Sequence, residues 1–170
     1  TAAAVFYTHY FDQPDVAEQE FERDVASTLR KIYFAASGSA GSRADPDTPN
    51  PFGMVVRGQG LLDALPDPEA LPPWLEQADL DIFVESFRKS GFRGGLNYYR
   101  NLDRNWMLQG AFAGKRVDVP ALFLVGERDT GLAIPGMEQI IEAMPGLVPQ
   151  LRSSTVIPGA GHWLQQEAPG

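Results

Sequence analysis

There is no cysteine among the 170 residues. That absence removes any disulfide framework, any thiolate nucleophile and any zinc site of the cysteine type, and makes the reducing cytoplasm the default compartment. Basic residues are also short: 14 Lys and Arg stand against 22 Asp and Glu, a formal charge of -8. Such a surface repels nucleic-acid phosphate and anionic lipid, so neither is expected as a partner. Long apolar runs are missing as well. The opening stretch from Ala2 to Tyr7 has no basic flank and falls far short of the roughly 20 residues of a spanning helix. Neither a signal peptide nor a membrane anchor is expected. What remains is 44% apolar and 11% aromatic, enough for the hydrophobic core of one soluble domain. The chain starts at Thr1 inside an apolar stretch and stops at Pro169-Gly170 with no closing helix after its last motif. It is expected to be a piece of a longer protein.

Two segments are punctuated for loops. Ser37 to Pro51 combines Gly, Ser, Asp and Pro, and is read as a flexible linker; Leu65 to Pro73 carries four prolines. Helical patterns lie between them. Asp12 or Asp15 caps a helix expected through Tyr33, with Glu18 three residues after Asp15 as in a capping box. Asp79 is expected to cap a second, where Leu80, Phe83, Val84 and Phe87 fall on one face before Ser90-Gly91. A third follows Gly95, with Tyr99, Leu102 and Trp106 at helical spacing as far as Gly110.

Beyond Gly114 the pattern changes. Val117 to Val125 is a nearly unbroken apolar run of strand length, of the kind buried on both faces in a parallel sheet. A helix around Gly136 to Met144 leads to a second strand, Ser153 to Ile157, which runs into Pro158-Gly-Ala-Gly161-His162. Strand, helix, strand implies a crossover connection with chemistry at the strand C-terminal ends. Residues 1–112 therefore read as all-helical and residues 113–170 as α/β.

His162 and Asp129 are the first candidates for chemistry. An acid after one strand and a histidine after its parallel neighbour lie side by side, and a carboxylate so placed orients an imidazole base. Asp129 is also an ordinary turn residue, and His9 has no obvious acidic partner. The order acid then histidine fits hydrolases whose nucleophile comes earlier in the chain. No such nucleophile is visible: Ser37-Gly-Ser-Ala-Gly41 lacks the first glycine of a serine elbow and a strand before it. Gly58-Gln-Gly60 lacks the third glycine of a dinucleotide fingerprint, and no carboxylate or histidine spacing suits a metal.

Several motifs resemble one family. Tyr10-Phe-Asp-Gln-Pro14 with Val16-Ala-Glu18, then Lys89 to Asn101 (KSGFRGGLNYYRN) and Arg104-Asn-Trp106, resemble the helical cap of soluble epoxide hydrolases of the α/β-hydrolase superfamily. The likeness continues through Val119-Pro-Ala-Leu122, Glu127-Arg-Asp129 and Gly161-His-Trp163. It implies an α/β-hydrolase fold fragment: a helical cap over 1–112, then the last strands and helices of the parallel sheet over 113–170.

The resemblance also implies roles. Tyr10 and Tyr99 match the two cap tyrosines that donate hydrogen bonds to an epoxide oxygen; Asp129 and His162 match the acid and base. An aspartate nucleophile would open the epoxide to an alkyl-enzyme ester, and water activated by His162 would release a vicinal diol. The partners implied are a small apolar epoxide, water and the N-terminal core segment that carries the nucleophile, with no cofactor or metal; an oligomer stays open. Tyr99 is preferred to Tyr98 by the motif and by sharing a helical face with Leu102 and Trp106. Phe11, Phe52, Met54, Trp74 and Trp163 either line an apolar pocket or pack the helices. The tyrosines, too, have a plain packing role open to them. Two other readings stand beside this one: a related dehalogenase, which needs halide-stabilising donors such as Trp or Asn, and a helical binding module without chemistry.

Overall fold

The computed structural model describes residues 3–40 and 53–170. Its first element, β1 (Ala4–Phe6), runs directly into a short helix α1 (Tyr7–Phe11). The single helix expected through Tyr33 is two, α2 (Val16–Arg23) and α3 (Val25–Ala36). Asp24 makes the break: its backbone is extended and its side chain accepts from the Ser27 amide at 3.1 Å, so it caps a new helix. The expected capping box at Asp15 is absent. Asp15 sits in the left-handed region (φ 68°) with no side-chain cap, and Glu18 is drawn inward to Arg100.

The segment after α3 departs from the linker expectation where it is described. Gly38–Ala40 form a turn of 3-10 helix, and Gly38 is buried. Gly41 to Phe52 lie outside the described residues. The helical half is also not free of strands, because β2 (Met54–Val56) pairs antiparallel with β1 in the register Val5↔Val55. Three-residue strands leave too little period-2 pattern to be seen in a sequence.

The next helix, α4 (Gln77–Ser90), starts two residues before Asp79. Glu76 precedes it without a side-chain cap, and Asp79 instead places a carboxylate in the first turn, favourable to the helix dipole. Gly91, at φ 66°, ends it as expected. The third helix is split at Asn101 into α5 (Arg93–Arg100) and α6 (Leu102–Leu108), the Asn101 side chain donating back to the Asn97 carbonyl at 2.7 Å.

These helices share one core. Phe11, Ala17, Phe21, Val25, Leu29, Val55, Leu61, Leu65, Leu80, Val84, Phe92 and Leu96 bury against one another. On the helices these positions recur every four residues, with half-buried Ile32, Phe87 and Tyr99 three residues beyond Leu29, Val84 and Leu96, the stripe an amphipathic helix turns inward.

After α6 come β3 (Ala121–Gly126), α7 (Met137–Leu147), β4 (Leu151–Ile157) and a last turn of helix, α8 (Leu164–Glu167). β3 and β4 pair in parallel, with Gly126 opposite Ile157. The first part of the apolar run, Val117 to Pro120, stays outside the strand. The strand is not covered on both faces either, since Leu122 is 65% exposed and Leu124 50%.

Candidate active site

The end of β3 places Asp129. The chain turns after Gly126, and Asp129 opens a turn of 3-10 helix by accepting from the Gly131 amide at 2.7 Å. The end of β4 places His162, whose Nδ1 lies 3.0 Å from Asp129 Oδ1. The two residues predicted to meet across neighbouring strands do meet. Burial pushes Asp129 up, but the hydrogen bonds from His162 and the Gly131 amide outweigh it and hold the carboxyl below its ordinary value. The same hydrogen bond raises His162 against the effect of its burial, with the charges of Asp129 and Glu167 adding to it. With Nδ1 taken by the carboxylate and the residue half-exposed, Nε2 is the nitrogen left for water, the geometry of an oriented general base.

The loop carrying His162 is seated on the helical half. The His162 amide donates to the Ala36 carbonyl at 2.9 Å, Arg128 donates to the Gly38 carbonyl at 3.0 Å, and the Trp163 indole donates to the Tyr33 carbonyl at 2.8 Å. The Trp163 ring stands 5.1 Å from the rings of both Tyr33 and His162. Gly38 and Gly161 permit this approach: a Cβ on Gly38 would overlap the Gly159 carbonyl, and one on Gly161 would overlap the Gly38 amide. Ala36 to Gly38 are thus a docking surface for the histidine loop.

The second cluster is aromatic and lies in the helical half. Tyr99 points inward from α5, while Tyr98 is 79% exposed. The reason given by helical spacing does not hold, because Leu102 and Trp106 belong to the next helix and are themselves exposed. Tyr99 is set by packing instead, edge-on to Phe11 at 5.0 Å and to Tyr7 at 5.6 Å. Burial raises the Tyr7 and Tyr99 phenols above their ordinary value, and the charge of Tyr99 adds to the rise at Tyr7. Both stay protonated at neutral pH, as hydrogen-bond donors must.

Tyr10 is elsewhere. Its hydroxyl donates to Glu20 Oε2 at 2.7 Å, and Glu20 also accepts from the amides of Leu61 and Leu62 at 3.2 and 2.8 Å. Burial and this carboxylate push the Tyr10 phenol far up. A groove of about 870 Å³ is lined by Tyr10, Glu20, Arg23, Arg57 and Asp63 but by neither member of the Tyr7–Tyr99 pair nor by Asp129 or His162. The tyrosine beside Tyr99 is Tyr7, which the motif reading passed over. Its signal was present: in Tyr7-Thr-His-Tyr10 two tyrosines lie three apart, adjacent on a helix.

A buried ion pair fixes these helices. Arg100, next to Tyr99, reaches both Glu18 oxygens at 2.6 and 2.8 Å and donates to the carbonyls of Phe11 and Gln13 at 2.8 and 3.3 Å. The bidentate geometry holds Glu18 below the ordinary carboxylate value although burial acts the other way.

The remaining candidates are structural in their surroundings. Phe11 is 6% exposed at the centre of the core, Met54 pairs with Phe6 across the two strands, and Trp74 stands 6.4 Å from Tyr33. Phe52 lies outside the described residues. His9 does have an acid nearby, Asp12 at 3.4 Å, but both are exposed.

Comparison with known proteins accords with this arrangement. The chain is 39% identical to epoxide hydrolase A of Mycobacterium tuberculosis over 166 residues, 97% of this chain and 48% of that protein. It is 36% identical to epoxide hydrolase 2 of Siraitia grosvenorii over 96% of this chain and 49% of the relative. An epoxide hydrolase from an endophytic Streptomyces superposes with a TM-score of 0.88 at 37% identity, covering 99% of this chain and 49% of the other. Its relatives and structural neighbours are epoxide hydrolases, and the chain corresponds to about half of their α/β-hydrolase fold. Potato epoxide hydrolase I superposes with a TM-score of 0.80 at 36% identity over 96% of the chain. No family model matches. The chain spans about half the length of the epoxide hydrolases it matches, and among its described residues no helix is long and apolar enough to cross a membrane.

Proposed function

We propose that the protein to which this half belongs hydrolyses a small apolar epoxide to a vicinal diol in the cytoplasm, with residues 1–112 as cap and 113–170 as the C-terminal part of the core. A carboxylate from the other half attacks a ring carbon, the ring C–O bond breaks, and the departing oxygen takes its proton from a phenol. Tyr7 and Tyr99 are the donors in this reading. A strained ether has a poor leaving group, so donors that meet the alkoxide as it forms lower the barrier. His162 then takes a proton from water, the hydroxide oxygen attacks the ester carbonyl, the acyl C–O bond breaks with the departing oxygen taking the proton of the new acid, and the imidazolium proton returns through solvent to the phenolate as the diol leaves. Asp129 keeps the proton of His162 on Nδ1 and stabilises the imidazolium. None of these steps calls on a cofactor or a metal.

The observation that carries the reading is the His162–Asp129 pair, 3.0 Å apart at adjacent strand ends. The Tyr7–Tyr99 packing supports paired phenol donors rather than a halide site, and the hydrogen bond of Tyr10 to Glu20 supports a structural role for that residue. Substituting each tyrosine by Phe in the complete protein tests this. Tyr7→Phe and Tyr99→Phe are each expected to slow ester formation from styrene oxide by about 10²-fold, the scale of one lost oxyanion donor. Tyr10→Phe is expected to leave that step within about threefold. A large effect of Tyr10→Phe with none from Tyr7→Phe would restore Tyr10 as the donor.

A further inference from the structure

We propose that Glu167 is a positioning residue for His162, holding the base in register for ester hydrolysis; this rests on the epoxide hydrolase reading. Its carboxylate straddles the histidine. One oxygen, Oε2, accepts from the amide of Gly161 at 3.0 Å, and the other, Oε1, accepts from the amide of Trp163 at 3.1 Å. The residues immediately before and after His162 are therefore tied to one planar group on the last turn of helix, α8. Oε2 also accepts from the Gly38 amide at 2.8 Å, more than 120 positions away in the chain. Three N–H donors on one carboxylate make charge-assisted bonds, stronger than bonds between neutral groups.

The location gives these bonds their consequence. The turn from Pro158 to His162 is glycine-rich, and glycines leave a backbone with many accessible conformations. Asp129 fixes only the far end of the side chain, at Nδ1. The amides on either side of the imidazole are held by Glu167, while the His162 amide bond to Ala36, the Arg128 amide bond to the Ala160 carbonyl and the Trp163 indole bond to Tyr33 hold the loop at other points. Loss of Glu167 would leave the pair with Asp129 in place but free the loop to shift, moving Nε2 relative to the ester. Ring opening, which uses the phenols and the carboxylate nucleophile, does not involve this loop.

The test is a single-turnover experiment on the complete protein with styrene oxide, following the alkyl-enzyme ester by intact mass after rapid quench. Glu167→Gln is expected to form ester within about twofold of the unsubstituted rate and to hydrolyse it about 10- to 100-fold more slowly, so that ester accumulates; misplacement by about 1 Å has effects of this size. Glu167→Asp, which keeps the charge on a shorter arm, is expected to recover part of the hydrolysis rate. Amide hydrogen exchange serves as the control for folding, with faster exchange expected at Gly161 and Trp163 and none at Leu29 or Leu96. Equal slowing of both steps, or unchanged ester hydrolysis, overturns the positioning role. If the unsubstituted protein forms no ester, the epoxide hydrolase reading falls and this inference falls with it.

Discussion

The two halves of the chain are stabilised in different ways. Residues from Phe11 to Leu96 enclose a continuous core in which Ala17 and Val55 are essentially sealed from solvent and Phe11, Phe21 and Phe92 interlock edge to face. Beyond Ala121, Ala160 is the one apolar side chain buried below a tenth of its surface among the described residues. There β3 and β4 satisfy each other's backbone groups along one edge, but Leu122, Leu124 and Val156 are all at least half exposed. Hydrogen bonds close a ladder, whereas stability against unfolding comes mainly from apolar area removed from water. The helical half can hold its shape by packing. The strand-bearing half holds its shape largely through what it touches, which is the end of α3.

The same contrast divides the proposed chemistry: phenols from the packed half for ring opening, an imidazole from the tethered half for ester hydrolysis. The largest effect expected is from His162→Gln in the complete protein, which should slow ester hydrolysis by at least about 10³-fold and leave an adduct visible by intact mass. Clean turnover by that variant would separate the histidine from the reaction.

Next in size is the core of the helical half. Phe21→Ala removes an aromatic ring that is 3% exposed and set edge-on between Phe11 and Phe92; it should cost about 3–5 kcal/mol by denaturant titration. A loss below about 1 kcal/mol would mean that this core is not the centre of stability.

A smaller effect concerns protonation. The hydrogen bond that His162 donates to Asp129 raises His162 and lowers Asp129. For His162 the stabilisation is full below its ordinary 6.5 and is lost as pH rises through the folded value. For Asp129 it is present above 3.8 and is lost as pH falls through the lowered value. The pair thus contributes most between those two values, and the raised His162 moves the acidic limb of ester hydrolysis to higher pH. Asp129→Asn should bring the His162 titration down, as read from its imidazole proton resonances; an unmoved titration would mean that the contact does not persist in solution.

The smallest effect sharpens the comparison most. Leu122→Ala on the open face of β3 should change the stability of this 170-residue chain by less than about 0.5 kcal/mol. In a complete α/β-hydrolase, where the face is covered, the same change should cost about 2–5 kcal/mol. Equal costs in both would mean that the strand face gains no cover from the other half.

Much of this arrangement is written in local sequence. The runs at Leu80 to Phe87 and Val117 to Val125, and the breakers after each, sufficed to name a helix and a strand because period and punctuation act within a few residues. Two parallel neighbours with chemistry at their ends then bring Asp129 beside His162 without further information. Places where the reading failed are those where two local rules compete. Asp24 and Asn101 lie inside apolar patterns that continue across them, and the side-chain hydrogen bond each makes to the backbone decided against continuity.

By itself, then, the sequence determined the types and order of the main helices and the parallel strands, the meeting of Asp129 with His162, and a net charge of -8. Tertiary structure alone decided that Tyr7 rather than Tyr10 stands beside Tyr99, that Glu18 serves Arg100 rather than a capping box, and that Ala36 to Gly38 form a seat for the histidine loop. The physical reason is range. Helical period, strand alternation and caps are set by neighbours a turn away, while the partner of Tyr7 lies 92 positions along the chain and is selected only when helices pack and their side chains compete for the same space.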